Sequence, residues 1–236
     1  MHHVAAAGGK GFALKADHAE SDMDAVLRPG ITHLFQVTHS LEVASVGRSI
    51  AKIVSKRLCD KYGNDFLYDI FDIDTIVSAA CLAHDLGNPP FGHSGEETIS
   101  SYFKEGNGKD LESLMPAHQW SDLVSFEGNA NAFRQLTHQF AGRRQGGMSL
   151  TYATLATLIK YPYPSYNKKG KKKYNIFHSE IDTFKKVMEG CGIPCLDEES
   201  LAYARHPLSY MMEAAEMGLA GYSPWGHKDS DMTKAT

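Results

Sequence analysis

The stretch His84-Asp85-Leu86-Gly87-Asn88-Pro89-Pro90-Phe91-Gly92-His93-Ser94-Gly95-Glu96 constrains this chain more than any other. It holds two histidines, two carboxylates, three glycines and two prolines in thirteen residues, a mixture that packing alone does not call for. Upstream, Ile73, Ile76, Val77, Ala80 and His84 recur at steps of 3, 1, 3 and 4, the spacing of one buried helical stripe. The pattern predicts a helix from about Asp72 to Leu86, capped by Asp72 or Asp74, with His84 on its apolar face near the end. Gly87 and the Pro89-Pro90 pair then stop it, because proline lacks the N–H and clashes with the preceding turn. An imidazole and a carboxylate at such an end can face one point.

A second histidine answers the first. His39, Val43, Val46, Ile50, Ile53 and Val54 step by 4, 3, 4, 3 and 1, so His39 also continues the stripe of a helix, expected from about Thr38 to Leu58. If the two helices pack together, His39, His84 and Asp85 can converge on a divalent cation. The plainer alternative is that each imidazole is a satisfied core histidine. Three ligand types coinciding with so constrained a turn favour the cation.

The chain has 236 residues, 42% hydrophobic and 22% charged, which suits an ordinary globular protein with a sizeable core. No apolar run approaches the ~20 residues of a membrane-spanning helix and no signal-peptide pattern opens the chain, so the expectation is a cytoplasmic protein without a membrane. A net charge of −4 gives no global bias toward nucleic acid. Four cysteines do not make a disulfide framework, and Cys191-Gly192-Ile193-Pro194-Cys195 has no second Cys/His pair at zinc-site spacing, so it is expected to be a turn with two reduced thiols.

Residues 1–36 are expected to be an irregular flank, with Arg28-Pro29-Gly30 as a turn. After the proline turn, Ser94-x-x-Glu97 suggests a capping box opening a helix toward Phe103. His93 and Glu96 would flank that N-terminus, whose free N–H groups favour negative charge. Residues 106–125 suggest a loop, Phe126 to Phe140 and Leu150 to Ile159 two helices, and the segments from Ile176 to Met188 and Leu208 to Met217 two more. Tyr161 to Lys173 is a proline-broken segment with five lysines: a solvated loop on the plain reading, a cationic lid over phosphates or a weak single-stranded nucleic-acid contact on the functional one. No segment alternates like a strand, so the predicted fold is all-α.

Thr38-His39-Ser40-Leu41-Glu42-Val43-Ala44 followed by Ala83-His84-Asp85-Leu86-Gly87-Asn88-Pro89-Pro90-Phe91-Gly92-His93 resembles the deoxyguanosine triphosphate triphosphohydrolases of the HD superfamily. Phe126-Glu127-Gly128-Asn129-Ala130, Leu158-Ile159-Lys160-Tyr161-Pro162 and Arg205-His206-Pro207-Leu208 with Glu213-Ala214-Ala215 match in the family's order. The resemblance covers residues 37–217 as an HD-type phosphohydrolase core. It leaves out 1–36, where relatives carry arginines and this chain has His33-Leu34-Phe35-Gln36, and 218–236, expected to be an unrelated disordered tail. That tail resembles a translated interspersed-repeat element, so the chain is expected to be a truncated or chimeric product.

The resemblance implies an HD-superfamily helical domain that hydrolyses a deoxynucleoside triphosphate, typically dGTP, to deoxynucleoside and inorganic triphosphate. It implies a divalent ion, Mg2+ or Mn2+, held by His39, His84 and Asp85; His93 and Glu96 as the catalytic pair; and Asn129, Lys160, Tyr161 and Lys173 against the substrate. In relatives an aspartate supplies a fourth ligand where this chain has Met217, with Glu216 adjacent, and subunits assemble into rings, commonly hexamers. Two alternatives stay open: an HD phosphohydrolase acting on nucleoside monophosphates, and an inactive HD-domain remnant that binds nucleotide or a partner subunit.

Overall fold

The computed structural model describes residues 16–63, 72–142, 146–167 and 173–220, with side chains from Val37 to Leu219. The chain divides into two compact units, 1–37 and 38–236. In the first, the described residues are helical from Ala16 and belong to helix α1 (Ala16–Tyr62). The turn expected at Arg28-Pro29-Gly30, and the irregular flank from residue 16 onward, are replaced by helix. Proline costs about 3 kcal/mol inside a helix, so the sequence between Ala16 and Leu27, with three alanines and three aspartates, does not by itself explain why the helix continues through Pro29.

In the second unit, α2 (Ile73–Ala83) is the central element, packed on α6 (Tyr152–Leu158) and α8 (Pro207–Ala220). Its buried side chains are Val77, Ser78, Ala80 and Cys81, and His84 forms its C-cap. Asp72 sits at the N-cap but its side chain makes no cap hydrogen bond. Helix α1 meets α2 along a seam of small residues: Ala44, Gly47 and Ala51 are buried, whereas Ile53, placed on the buried stripe by its spacing, is 56% exposed. A Cβ on Gly47 would lie 2.6 Å from Cys81 Sγ and 3.2 Å from Val77 Cγ1, so only glycine allows this approach.

After the proline turn come α3 (His93–Lys104), a 3₁₀ helix at Asn107–Leu114 and α4 (Ala117–Val124). The residues expected to be a loop over 106–125 are thus mostly helical, because short turns lean on α3, Gly108 against Tyr102 and Phe103 and Trp120 against Phe103. The capping box expected at Ser94 does not form: Gly92 is the N-cap at φ 55°, and no side chain caps the helix. Helices α5 (Gly128–Thr137) and α7 (Ile181–Gly190) complete the bundle. Phe133, Leu136, Leu155, Phe184, Val187, Met188 and Met212 share one core, where complete burial of each phenylalanine contributes roughly 1.5–3 kcal/mol. Thr151 caps α6 by accepting the Thr154 N–H at 3.3 Å.

Among the described residues the fold is all-α apart from one antiparallel pair, β1 (Cys195–Asp197) and β2 (Ala202–Tyr203), and an isolated bridge between Pro164 and Ile176. Cys191 and Cys195 are free thiols, as the sequence leads one to expect. No helix among the described residues is long and apolar enough to cross a membrane.

Candidate metal centre

Three of the residues singled out from sequence meet at the end of α2. His39, His84 and Asp85 each offer a ligand atom, and these atoms lie within 4.8 Å of one another. The His39 and His84 rings stand 5.6 Å apart between centroids, tilted by 57°. His84, 4% exposed, lies 2.6 Å through Nδ1 from the Cys81 carbonyl oxygen. A carbonyl only accepts, so Nδ1 carries the proton and the Nε2 lone pair faces the site. That Nε2 is buried without a hydrogen-bond partner, 3.3 Å from Asp85 Oδ2.

The other Asp85 oxygen accepts from Asn88 Nδ2 at 2.9 Å, which fixes the carboxylate and leaves Oδ2 turned to the imidazole. Two lone-pair atoms facing each other in a buried place repel unless positive charge lies between them. Atoms about 2.1 Å from a common ion at 90–110° lie about 3.0–3.4 Å apart, so the His84–Asp85 spacing fits a divalent cation, and His39 within 4.8 Å supplies a third donor of a suitable type. Burial pushes the Cys81 thiol up to about 12, and its sulfur is not among the ligand atoms that converge here.

The turn that delivers Asp85 is clamped onto the start of α5. Gly87 touches that helix so closely that a Cβ would lie 2.1 Å from both Gly128 O and Ala132 N, and its carbonyl accepts from Asn131 Nδ2 at 2.8 Å. Phe91 holds a left-handed φ of 68° with its side chain 80% exposed, a conformation that costs a bulky residue energy.

His93 and Glu96 are paired, Nδ1 to Oε2 at 3.0 Å, with His93 exposed and Glu96 mostly covered. The second Glu96 oxygen accepts the Gly128 N–H at 2.7 Å. Asn129 donates through Nδ2 to the Glu127 carboxylate at 2.6 Å. Burial lifts Glu127 above the ordinary carboxylate range, with Glu96 adding to the lift while Asn129 and Lys173 oppose it.

Lys160 is hydrogen-bonded and ion-paired with Glu216 of α8, and its side chain is only 10% exposed. Burial works to raise the Glu216 carboxyl, but the Lys160 ammonium, then His84 and Lys173, outweigh it and hold it below the ordinary range. Met217, where the resemblance places an aspartate, is 59% exposed. Burial raises Tyr161, and the charges of Glu213, Glu127 and Glu216 add to the rise. One fully buried amide ties these pieces: Asn175 Oδ1 accepts the Tyr161 N–H at 2.7 Å and its Nδ2 donates to the Asn129 carbonyl at 3.3 Å.

Sequence reasoning singled out the three residues that converge here and the neighbouring His93 and Glu96, but passed over Asn88, the Gly128 N–H and Asn175, whose contacts exist only once distant segments meet. Of the five lysines between Tyr161 and Lys173, Lys168, Lys169, Lys171 and Lys172 lie outside the described residues, as do 221–236 and the side chains of His33 to Gln36.

The HD domain family matches residues 37–146. The chain is 44% identical over 189 residues to a deoxyguanosinetriphosphate triphosphohydrolase-like protein of Pseudomonas aeruginosa, covering 77% of this chain and 41% of that one. It is 39% identical over 192 residues to a protein of the same name from Synechocystis, covering 77% and 43%. To a deoxyguanosinetriphosphate triphosphohydrolase of Yersinia pestis it is 34% identical over 219 residues, covering 77% and 40%. The chain thus spans about two fifths of the length of the curated relatives it matches.

Proposed function

We propose that this chain, whose residues 37–146 form an HD domain, is the metal-binding core of a phosphohydrolase that cleaves a deoxynucleoside triphosphate, dGTP first among them, to deoxynucleoside and inorganic triphosphate. The observation that carries the reading is the buried, partnerless His84 Nε2 set 3.3 Å from Asp85 Oδ2, with His39 completing the group. The relatives' names supply the substrate class.

His39, His84 and Asp85 would hold Mg2+ or Mn2+, the imidazoles leaving positions open and Asp85 giving the hard anionic ligand. The bound ion supplies Lewis acidity at the α-phosphate and lowers the pKa of water. His93 moves the proton to the departing 5′-oxygen: Nδ1–H donates to Glu96, so Nε2 is the atom that gives and takes a proton. Glu96 orients that ring, and the Gly128 N–H keeps Glu96 from turning away. Lys160, Lys173, Tyr161 and Asn129 receive the triphosphate, the lysines by charge and the others by hydrogen bonds.

A core that binds nucleotide without turning it over is the second reading. It is favoured by Met217, which faces solvent where the resemblance places an aspartate. Incubation with dGTP and Mn2+ or Mg2+, followed by ion-exchange chromatography, tests both. Inorganic triphosphate is the expected product, and release of pyrophosphate or monophosphate overturns the reaction. Thermal stabilisation by dGTP with no product at all selects the second reading.

A further inference from the structure

Ala117 and His118 open α4, Tyr166 sits in the 3₁₀ turn Ser165–Asn167, and His178 begins the 3₁₀ turn His178–Glu180. Together these four residues line a cavity of about 450 Å³, within the roughly 300–1,000 Å³ of small-molecule sites. None of them belongs to the cation group or to the residues assigned to the triphosphate. We infer that this cavity is a second ligand site, which takes a flat, uncharged heteroaromatic ring the size of a purine against the imidazoles of His118 and His178 and the phenol of Tyr166.

The walls suit a flat ring. The two imidazoles are already in ring contact, 3.6 Å apart between centroids and tilted by 40°. Rings that share a cation stand farther apart, as His39 and His84 do at 5.6 Å, so this pair is a stack and not a chelate. A third ring can extend such a stack, and Tyr166, 43% exposed, offers a further face.

The walls are also fixed before any ligand arrives. Asp122, one turn along α4 from His118, accepts from Ser165 Oγ at 2.5 Å and from the His178 N–H at 2.7 Å. One carboxylate therefore ties α4 to both turns that supply the other walls, and a cavity held in this way loses little freedom when it is filled.

Charge selects against an anion. The lining holds no lysine or arginine, and burial, with His118 beside it, keeps the His178 imidazole below its ordinary range and so uncharged at neutral pH. The charged group that reaches both turns is the Asp122 carboxylate, while Glu180 beyond His178 is paired with Arg134. A phosphate on the ring would meet negative charge without a partner. An edge that hydrogen-bonds, by contrast, has a use here: His178 Nδ1 is buried with no hydrogen-bond partner among the described residues. A nitrogen left so costs free energy, and a half-turn of the ring lets a heteroaromatic edge supply the missing bond.

The test titrates the full chain, in EDTA at neutral pH, with adenosine, and follows the ring-proton NMR signals of His118 and His178. Both should shift upfield and saturate, whereas ribose, which lacks the flat ring, should leave them in place. Tyr166→Ala removes a half-exposed ring and should weaken adenosine by about 5-fold or more, the low end of stacking on one aromatic side chain. AMP should bind more weakly than adenosine, the difference closing in high salt. No shift of either histidine at millimolar adenosine overturns the inference, and so does an equal response to ribose. Unchanged affinity in Tyr166→Ala removes the phenol from the site, and AMP binding more tightly than adenosine overturns the uncharged class. Because the readout is at His118 and His178 and no metal is present, none of these results depends on whether dGTP is hydrolysed.

Discussion

The Gly128 backbone N–H donates to Glu96 Oε1 at 2.7 Å, across 32 residues of chain, while Glu96 Oε2 takes His93 Nδ1 at 3.0 Å. The start of α5 thereby determines where the exposed His93 ring can point. A Cβ at Gly128 would lie 2.4 Å from Asn88 Oδ1 and 2.8 Å from Glu96 Oε1. Gly128→Ala should therefore push both side chains aside at once. We expect about a 100-fold loss in kcat from misplaced groups, with Mn2+ affinity reduced through Asn88 and Asp85. Steady-state kinetics beside a Mn2+ titration checks it, and unaltered kinetics would remove the Gly128–Glu96 contact from the mechanism.

The cation should stabilise the fold by mass action. At Mn2+ a hundredfold above its Kd the gain is about 2.7 kcal/mol, seen as a rise in Tm that EDTA reverses. His84→Ala should abolish the rise, because Nε2 is the ligand atom already buried and turned to Asp85. A variant that keeps the full Mn2+ response would place the ion elsewhere.

Asp122 makes stability depend on pH. Burial raises its carboxyl from 3.8 to about 6, with Glu180 adding to the rise, while hydrogen bonds from Ser165 and the His178 N–H, and the charge of His118, oppose it. Because the folded value lies above the unfolded one, the native state binds this proton more tightly. Its contribution is fully present below about pH 4 and is lost as pH rises through about 6. Between those limits the unfolding free energy should carry a falling component that Asp122→Asn removes. Urea unfolding across pH 4 to 7 measures it, and identical pH slopes for the two proteins would contradict the assignment.

Gly47→Val should destabilise the bundle by about 1–3 kcal/mol, the cost of overpacking. The new side chain would meet Cys81 Sγ and Val77 Cγ1 where α1 crosses α2, and His39 lies two turns earlier on α1. We expect a lower denaturant midpoint and weaker Mn2+ binding together. A loss of stability with Mn2+ affinity intact would mean that the cation group does not depend on this crossing.

The meeting of His39, His84 and Asp85 was legible because both histidines fall on apolar periods whose stripes are long, and because Asp85 precedes a turn rich in glycine and proline. The periodicity misled at Ile53, since it counts large apolar residues and the α1 seam is built from Ala44, Gly47 and Ala51. Ser94 failed as a cap because Gly92 had already turned the chain into the helix. Residues 106–125 were missed because their helical turns are short and owe their stability to α3, a tertiary cause that local pattern does not carry. Asn88 and Asn175 look like any polar residue until the segments they bridge are brought together.

Asn175 gives the outer part of this region its mode of change. Because one amide grips the main chain at both Tyr161 and Asn129, and side-chain changes at either residue leave those backbone groups in place, the hold is lost only at Asn175 itself. Asn175→Ala is therefore expected to let the two segments drift together, so that their backbone amides exchange faster as a pair.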